Sequence, residues 1–141
     1  DIADAILPPT STPGAKEAGV GAFIPVMVRD CYTPEEQQIF VEGLDELRKR
    51  TKEEYGGREF GELSLEERTG LVHIIDREAK KYQEEKTDEQ PNHYFTLFKQ
   101  LTLLGFFTSE VGATKALRYV QIPGRFDGDI PYQKGDRAWA L

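Results

Sequence analysis

The stretch Tyr94-Phe95-Thr96-Leu97-Phe98-Lys99-Gln100-Leu101-Thr102-Leu103-Leu104-Gly105-Phe106-Phe107 places nine hydrophobic residues in fourteen positions and carries one charge, Lys99. No proline interrupts it, and as a helix it runs about 21 Å. Its apolar side chains fall on nearly every face. Such a helix lies at the centre of a bundle or is covered by another chain. The rest of the fold must therefore be arranged around residues 94–107. Core burial is the expectation for most of Phe95, Phe98, Phe106 and Phe107, with a partner covering the Phe106/Phe107 end as the competing reading. Asn92 is the expected N-cap.

Upstream, two segments share one local design. Thr33-Pro34-Glu35-Glu36 predicts a capping box, with Thr33 as N-cap, Glu36 reaching back, and Pro34 at the first helical position. Phe40, Leu44 and Leu47 follow at helical spacing, and Gly56-Gly57 stops the helix. Ser64-Leu65-Glu66-Glu67 predicts a second capping box, followed by Leu71, Ile74, Ile75 and Ala79 on one face. Two copies are too few for a solenoid, so residues 33–90 read as an amphipathic helical hairpin. Residues 1–32 carry Pro8-Pro9, Pro13-Gly14, Gly19, Gly21 and Pro25. They read as an extended arm, with one short helical turn around Ile2, Ala5, Ile6 and Leu7, and with apolar anchors at Phe23, Ile24, Val26 and Val28. Downstream, residues 91–117 hold the apolar helix and a short helix started by Thr108-Ser109-Glu110 and ending near Leu117. Residues 118–141 hold Pro-Gly and Asp-Gly turn signals with Tyr119, Phe126, Tyr132 and Trp139 spaced through them. This is a loop-like tail wrapped on the domain or on a partner. The fold class is all-α, a small bundle of about three main helices in a single domain, 1–141.

Composition narrows the function. The chain of 141 residues has 18 basic and 25 acidic side chains, a net charge of −7. Nucleic-acid binding rests on a basic face, so the acidic balance argues against that class. No run of about 18 apolar residues occurs, so the chain is not expected to span a membrane. Residues 33–90 hold 17 acids and 10 bases, and thus the whole imbalance; a solvated outer face explains this better than a docking site for a basic partner. The chain opens at Asp1 without a methionine, as expected where an upstream segment has been removed.

Catalytic and metal chemistry finds little support. One cysteine, Cys31, excludes an intramolecular disulfide, and with His73 and His93 it cannot make a standard zinc site. Asp30 beside Cys31 opposes a reactive thiolate. His73 reads as a part-buried structural residue, and a charged His93 at a helix start would oppose the helix dipole. Glu35/Glu36 and Glu66/Glu67 are accounted for by helix N-termini, and Asp127/Asp129 fall short of a calcium set. The residues alone read as a helical non-enzyme with no cofactor or metal of its own. An enzyme using His73 or Asp127/Asp129, and a stand-alone helical binding or homo-oligomerising domain, are the alternatives.

Two stretches carry a family resemblance. The arm Ile6-Leu7-Pro8-Pro9-Thr10-Ser11-Thr12-Pro13-Gly14-Ala15-Lys16-Glu17-Ala18-Gly19-Val20 resembles the mature N-terminus of the gluconate 2-dehydrogenase subunit 3 family. The stretch from Phe98 through Gly105-Phe106-Phe107-Thr108-Ser109-Glu110, then Gly112 and Tyr119 to Pro123-Gly124, is similar to that family's second signature. Tyr55-Gly56-Gly57-Arg58-Glu59-Phe60 and Leu63-Ser64 sit where its pattern has a connecting segment. The resemblance implies a non-catalytic small subunit of a periplasmic dehydrogenase that oxidises a sugar or sugar acid. It would pair with a flavoprotein large subunit of the glucose-methanol-choline type holding FAD, with a cytochrome c and its haem often taking the electrons. The family's small subunit commonly carries a twin-arginine export signal, absent from this chain, and serves maturation, export and stability of the flavoprotein. It implies no catalytic residue. On this basis the expected partner-interface residues are Pro8, Pro13, Val20, Phe106, Phe107, Tyr119, Phe126 and Trp139.

Overall fold

The computed structural model describes residues 1–140. It contains α1 (Ile2–Ile6), α2 (Val20–Cys31), α3 (Pro34–Glu54), a 3-10 turn (Phe60–Glu62), α4 (Leu65–Glu85), α5 (Tyr94–Phe107) and a π-helical turn (Gly112–Ala116). The all-α expectation holds: among the described residues the only β-type pairing is a single bridge between Arg118 and Trp139.

Local chemistry sets the two longest helices. Thr33 Oγ1 accepts from the Glu36 N–H at 3.3 Å while the Glu36 carboxylate accepts from the Thr33 N–H at 2.9 Å. The same reciprocal pair joins Ser64 and Glu67 at 3.2 and 2.8 Å. Each box satisfies N–H groups that a helix start leaves orphaned. α3 ends where Gly56 and Gly57 take φ of 65° and 85°. That left-handed turn lets the Gly57 N–H reach the Lys52 carbonyl at 2.8 Å, the closing bond of a Schellman stop.

α5 occupies the predicted residues and the predicted place. It packs on α1, α2, α3 and α4. Leu97, Phe98, Leu101 and Phe106 enter one buried cluster with Val20, Ile24, Val28 and Phe40. Tyr94 and Phe95 enter a second, with Leu47, Phe60, Leu63, Leu71 and Ile75. The Phe40 and Phe98 rings stack at 5.5 Å. Two close approaches depend on glycine. A Cβ at Gly43 would lie 2.0 Å from Cγ of Tyr94, and one at Gly105 would lie 2.6 Å from the Phe23 ring. The single charge on α5, Lys99, pairs with Asp76 of α4 at 2.6 Å.

Three expectations are corrected. The arm is not extended throughout: residues 20–31 form α2, with Pro25 inside it. Pro25 lacks the N–H that would bond the Gly21 carbonyl, a cost for any helix interior. Val20, Ile24 and Val28, spaced by four, are buried against the core, so packing of that stripe outweighs the lost bond. Pro25 itself faces solvent. Secondly, α3 and α4 do not pack along each other as a hairpin; each packs on α5 instead. A helix with no polar face is the better surface for both apolar stripes, and the link between α3 and α4 is made by side chains, with Arg50 on Glu78 at 2.6 Å. Thirdly, the N-cap of α5 is His93 rather than Asn92: its Nδ1 accepts from the Phe95 N–H at 3.1 Å.

Candidate partner interface

Among the described residues no three His, Cys, Asp or Glu side chains converge as a metal site. Cys31 is exposed at the end of α2, and the neighbouring Asp30 carboxylate is held by Arg29 at 2.6 Å. His73 is exposed, correcting the part-buried expectation. Leu71, Val72 and Ile75 face inward and turn position 73 outward. Burial holds the His93 imidazole below its usual pKa, which suits a neutral ring that accepts the Phe95 N–H and removes the anticipated clash with the helix dipole.

Sequence reasoning missed a cleft of about 420 Å³ between α2 and α3. Ile24, Phe40, Leu44, Leu47 and Phe98 line it, and Pro25 and Gly21 form one lip. Its charged rim is already committed: Asp1 to Lys16, Arg48 to Asp45, and Glu59 to Lys52. The signal in the sequence was the Gly21–Pro25 spacing, legible only once those residues are known to be helical.

The exposed apolar side chains are unevenly placed. Among the described residues twelve large hydrophobics are exposed, and seven of them belong to residues 119–139: Tyr119, Val120, Ile122, Phe126, Ile130, Tyr132 and Trp139. Phe126 is 97 % exposed and Ile122 81 %. Leu104 and Phe107, also exposed, lie on the last turn of α5 just before this segment. The π-helical turn connects the two. A Cβ at Gly112 would overlap the Phe106 carbonyl, so only glycine lets the chain turn back against the end of α5. The Gly112 N–H is received by Ser109 Oγ at 2.9 Å.

Residues 118–140 close on themselves instead of wrapping the helices. The Arg118 N–H donates to the Ala138 carbonyl and the Ala140 N–H to the Arg118 carbonyl, both at 2.8 Å. Inside the closed loop Gly124 and Gly135 take positive φ, Arg125 pairs with Asp127 at 2.9 Å, and the Asp136 carboxylate accepts from the Gln133 N–H at 3.0 Å. The loop rings a hollow of about 580 Å³ bordered by Asp127, Ile130, Tyr132, Asp136 and Trp139. With four basic and three acidic side chains over residues 118–141, the segment is close to neutral, whereas the acid excess lies on residues 33–90. Clustered exposed aromatic and aliphatic side chains on a segment of low net charge are a feature of protein interaction surfaces.

The residues expected at an interface thus divide. Val20 and Phe106 are buried in the chain's own core and offer a partner no surface, which corrects their inclusion. Pro8 and Pro13 are half-buried in the segment between α1 and α2. Phe107, Tyr119, Phe126 and Trp139 are exposed. Tyr119 and Trp139 come together at the base of the loop, and Phe126 lies far out along it. Periodicity separated none of these, because Phe106 and Phe107 are adjacent and equally apolar. Only the end of α5 and the turn at Gly112 decide which ring faces in.

Comparison with known proteins identifies a family. The family model described as gluconate 2-dehydrogenase subunit 3 covers residues 1–124 and ends inside the loop. No curated protein and no solved structure matches the chain.

Proposed function

Starting from the chain's membership of the gluconate 2-dehydrogenase subunit 3 family, we propose that it is the non-catalytic small subunit of a periplasmic sugar or sugar-acid dehydrogenase. Its partner is a flavoprotein large subunit of the glucose-methanol-choline type, which holds FAD and does the chemistry. Electrons leave through a cytochrome c and its haem. The small subunit supports maturation of the flavoprotein and its export by the twin-arginine route, and it stays bound afterwards as a stabilising subunit.

One observation carries this reading. The helical body buries its own core, while the segment that follows it exposes seven bulky apolar side chains. Leaving Phe126 and Ile122 in water forfeits about 1.5–3 kcal/mol each relative to burial. A partner surface recovers that loss. The exposed end of α5 offers Leu104 and Phe107 as further apolar surface. An obligate interface buries more than about 2,000 Å² in total, and truncating one central aromatic then costs about 2 kcal/mol or more. Phe107→Ala, Phe126→Ala and Trp139→Ala are each expected to reduce co-purification of the flavoprotein, with the folded helix content unchanged. Undiminished co-purification in all three overturns the assignment of this surface.

A further inference from the structure

The loop that carries the exposed aromatics has no core of its own. Its bulky side chains point to solvent, and it encircles an open hollow. Its ends nevertheless meet at one point, and the ties there are unusually dense for a surface loop. The Arg118 backbone makes both bridge bonds to residues 138 and 140. Nε of Arg118 donates to the Arg137 carbonyl at 2.7 Å. The Arg118 guanidinium also lies over the Trp139 ring, 4.5 Å from its centroid. The Arg137 guanidinium in turn donates to the Lys115 carbonyl at 2.9 Å and reaches that of Thr114 at 3.4 Å. Those carbonyls belong to the π-helical turn seated on the end of α5. Cationic donors on the last carbonyls of a helical turn are electrostatically favoured.

We infer that Arg118 and Arg137 form a latch that holds the 118–140 loop closed and anchored before any partner arrives, so that the exposed aromatics are presented as one preformed docking surface. This deepens the proposed function and rests on it. The physical reason is entropic. An unlatched segment of this length explores many conformations, and only a fraction of molecules would display the aromatics correctly. Apparent affinity falls by that fraction, and ordering the loop on binding adds its own cost. Backbone bonds alone hold one register weakly at a lone bridge. The two arginines supply side-chain ties that alanine cannot. Both are positioning residues: they act through the placement of Tyr119, Phe126 and Trp139.

Arg118→Ala, Arg118→Lys and Arg137→Ala are compared with the unaltered chain in two measurements. In the free protein, acrylamide quenching of Trp139, the chain's one tryptophan, and the rate of limited proteolysis within residues 119–138 report whether the loop is latched. Both are expected to rise severalfold in the alanine variants. Arg118→Lys, which keeps the cation but loses the Nε bond, falls between. Thermal unfolding of the helical body is expected to stay within a degree or two. In the second measurement, the dissociation constant for the flavoprotein large subunit of the proposed complex is expected to weaken about tenfold or more for Arg118→Ala. Quenching and proteolysis identical to the unaltered chain overturn the latch. Increased quenching with unchanged affinity overturns its role in docking and leaves the subunit assignment standing. Failure of the unaltered chain to bind the flavoprotein overturns the subunit assignment, and the docking role with it.

Discussion

The two 21-residue helices each contain an internal glycine, and the structure assigns opposite consequences to replacing them. Gly43 lies in α3 and Gly70 in α4. On intrinsic preference alone, alanine at either position should stabilise the helix by about 1 kcal/mol. At Gly70 a Cβ would meet nothing within 4 Å, so that gain stands unopposed. At Gly43 the added carbon would lie 2.0, 2.3 and 2.5 Å from Cγ, Cβ and Cδ2 of Tyr94. Tyr94 is buried at the first turn of α5 and stacks on His93 at 4.6 Å, so its ring cannot simply swing away. Relief requires α3 and α5 to separate, and overpacking of this kind costs about 1–3 kcal/mol, more where backbone moves. Subtracting the propensity gain leaves a net loss of about 2 kcal/mol for Gly43→Ala. For a chain of this length about 1 kcal/mol corresponds to roughly 3 °C in Tm. Circular dichroism melts are therefore expected to show Gly43→Ala lower by about 6–7 °C and Gly70→Ala higher by up to about 3 °C. A Gly43→Ala variant as stable as Gly70→Ala would refute the packing of α5 against the backbone of α3, and with it the central placement of α5.

Further outcomes are expected at the helix ends and the titrating groups. Burial lowers the His93 pKa, so its contribution to stability is present above the ordinary histidine range, about 6.5, and is lost as pH falls below it. His93→Asn keeps a capping oxygen and removes the titration. Its Tm should hold between pH 7 and pH 5 while that of the unaltered chain declines, and parallel declines contradict the cap. Glu67 is held down to about 2, first by Arg58 and then by the Ser64 N–H, so its contribution is present above the ordinary carboxylate range and fades as pH drops through that range toward 2. Glu67→Gln should flatten the acid limb of a Tm-against-pH series, and an unchanged limb contradicts the Arg58–Ser64 clamp. Thr33→Ala and Ser64→Ala should each cost about 1 kcal/mol in urea melts. A loss below the error of the measurement at both sites would show that the caps are not needed.

Much of the fold was legible because the sequence signals were local. Both capping boxes, the glycine stop after α3 and the bounds of α5 follow from residues within a few positions of one another. What was not legible depended on competition between distant segments. Pro25 argues against a helix until Val20, Ile24 and Val28 are seen buried against the core, and that gain has no local signature. The packing of α3 and α4 each on α5 likewise reflects the all-round apolar surface of a later element. His93 was read for its charge when its burial and its Nδ1 lone pair decide its role. At the candidate interface, composition located the aromatic segment. The closure of that segment by Arg118 across twenty residues of chain, and the inward turn of Phe106 beside an outward Phe107, needed the geometry of Gly112 and the Arg118–Trp139 bridge.

The central claim is that this chain is a lasting, non-catalytic partner of a flavoprotein. Co-expression with the flavoprotein large subunit of the proposed complex, purification through a tag on this chain alone, and a visible spectrum of the product test that claim most directly. A stoichiometric complex with flavin absorbance and sugar-dependent dye reduction is the predicted result, lost when residues 118–141 are deleted. A colourless, well-folded monomer recovered from the same co-expression contradicts it.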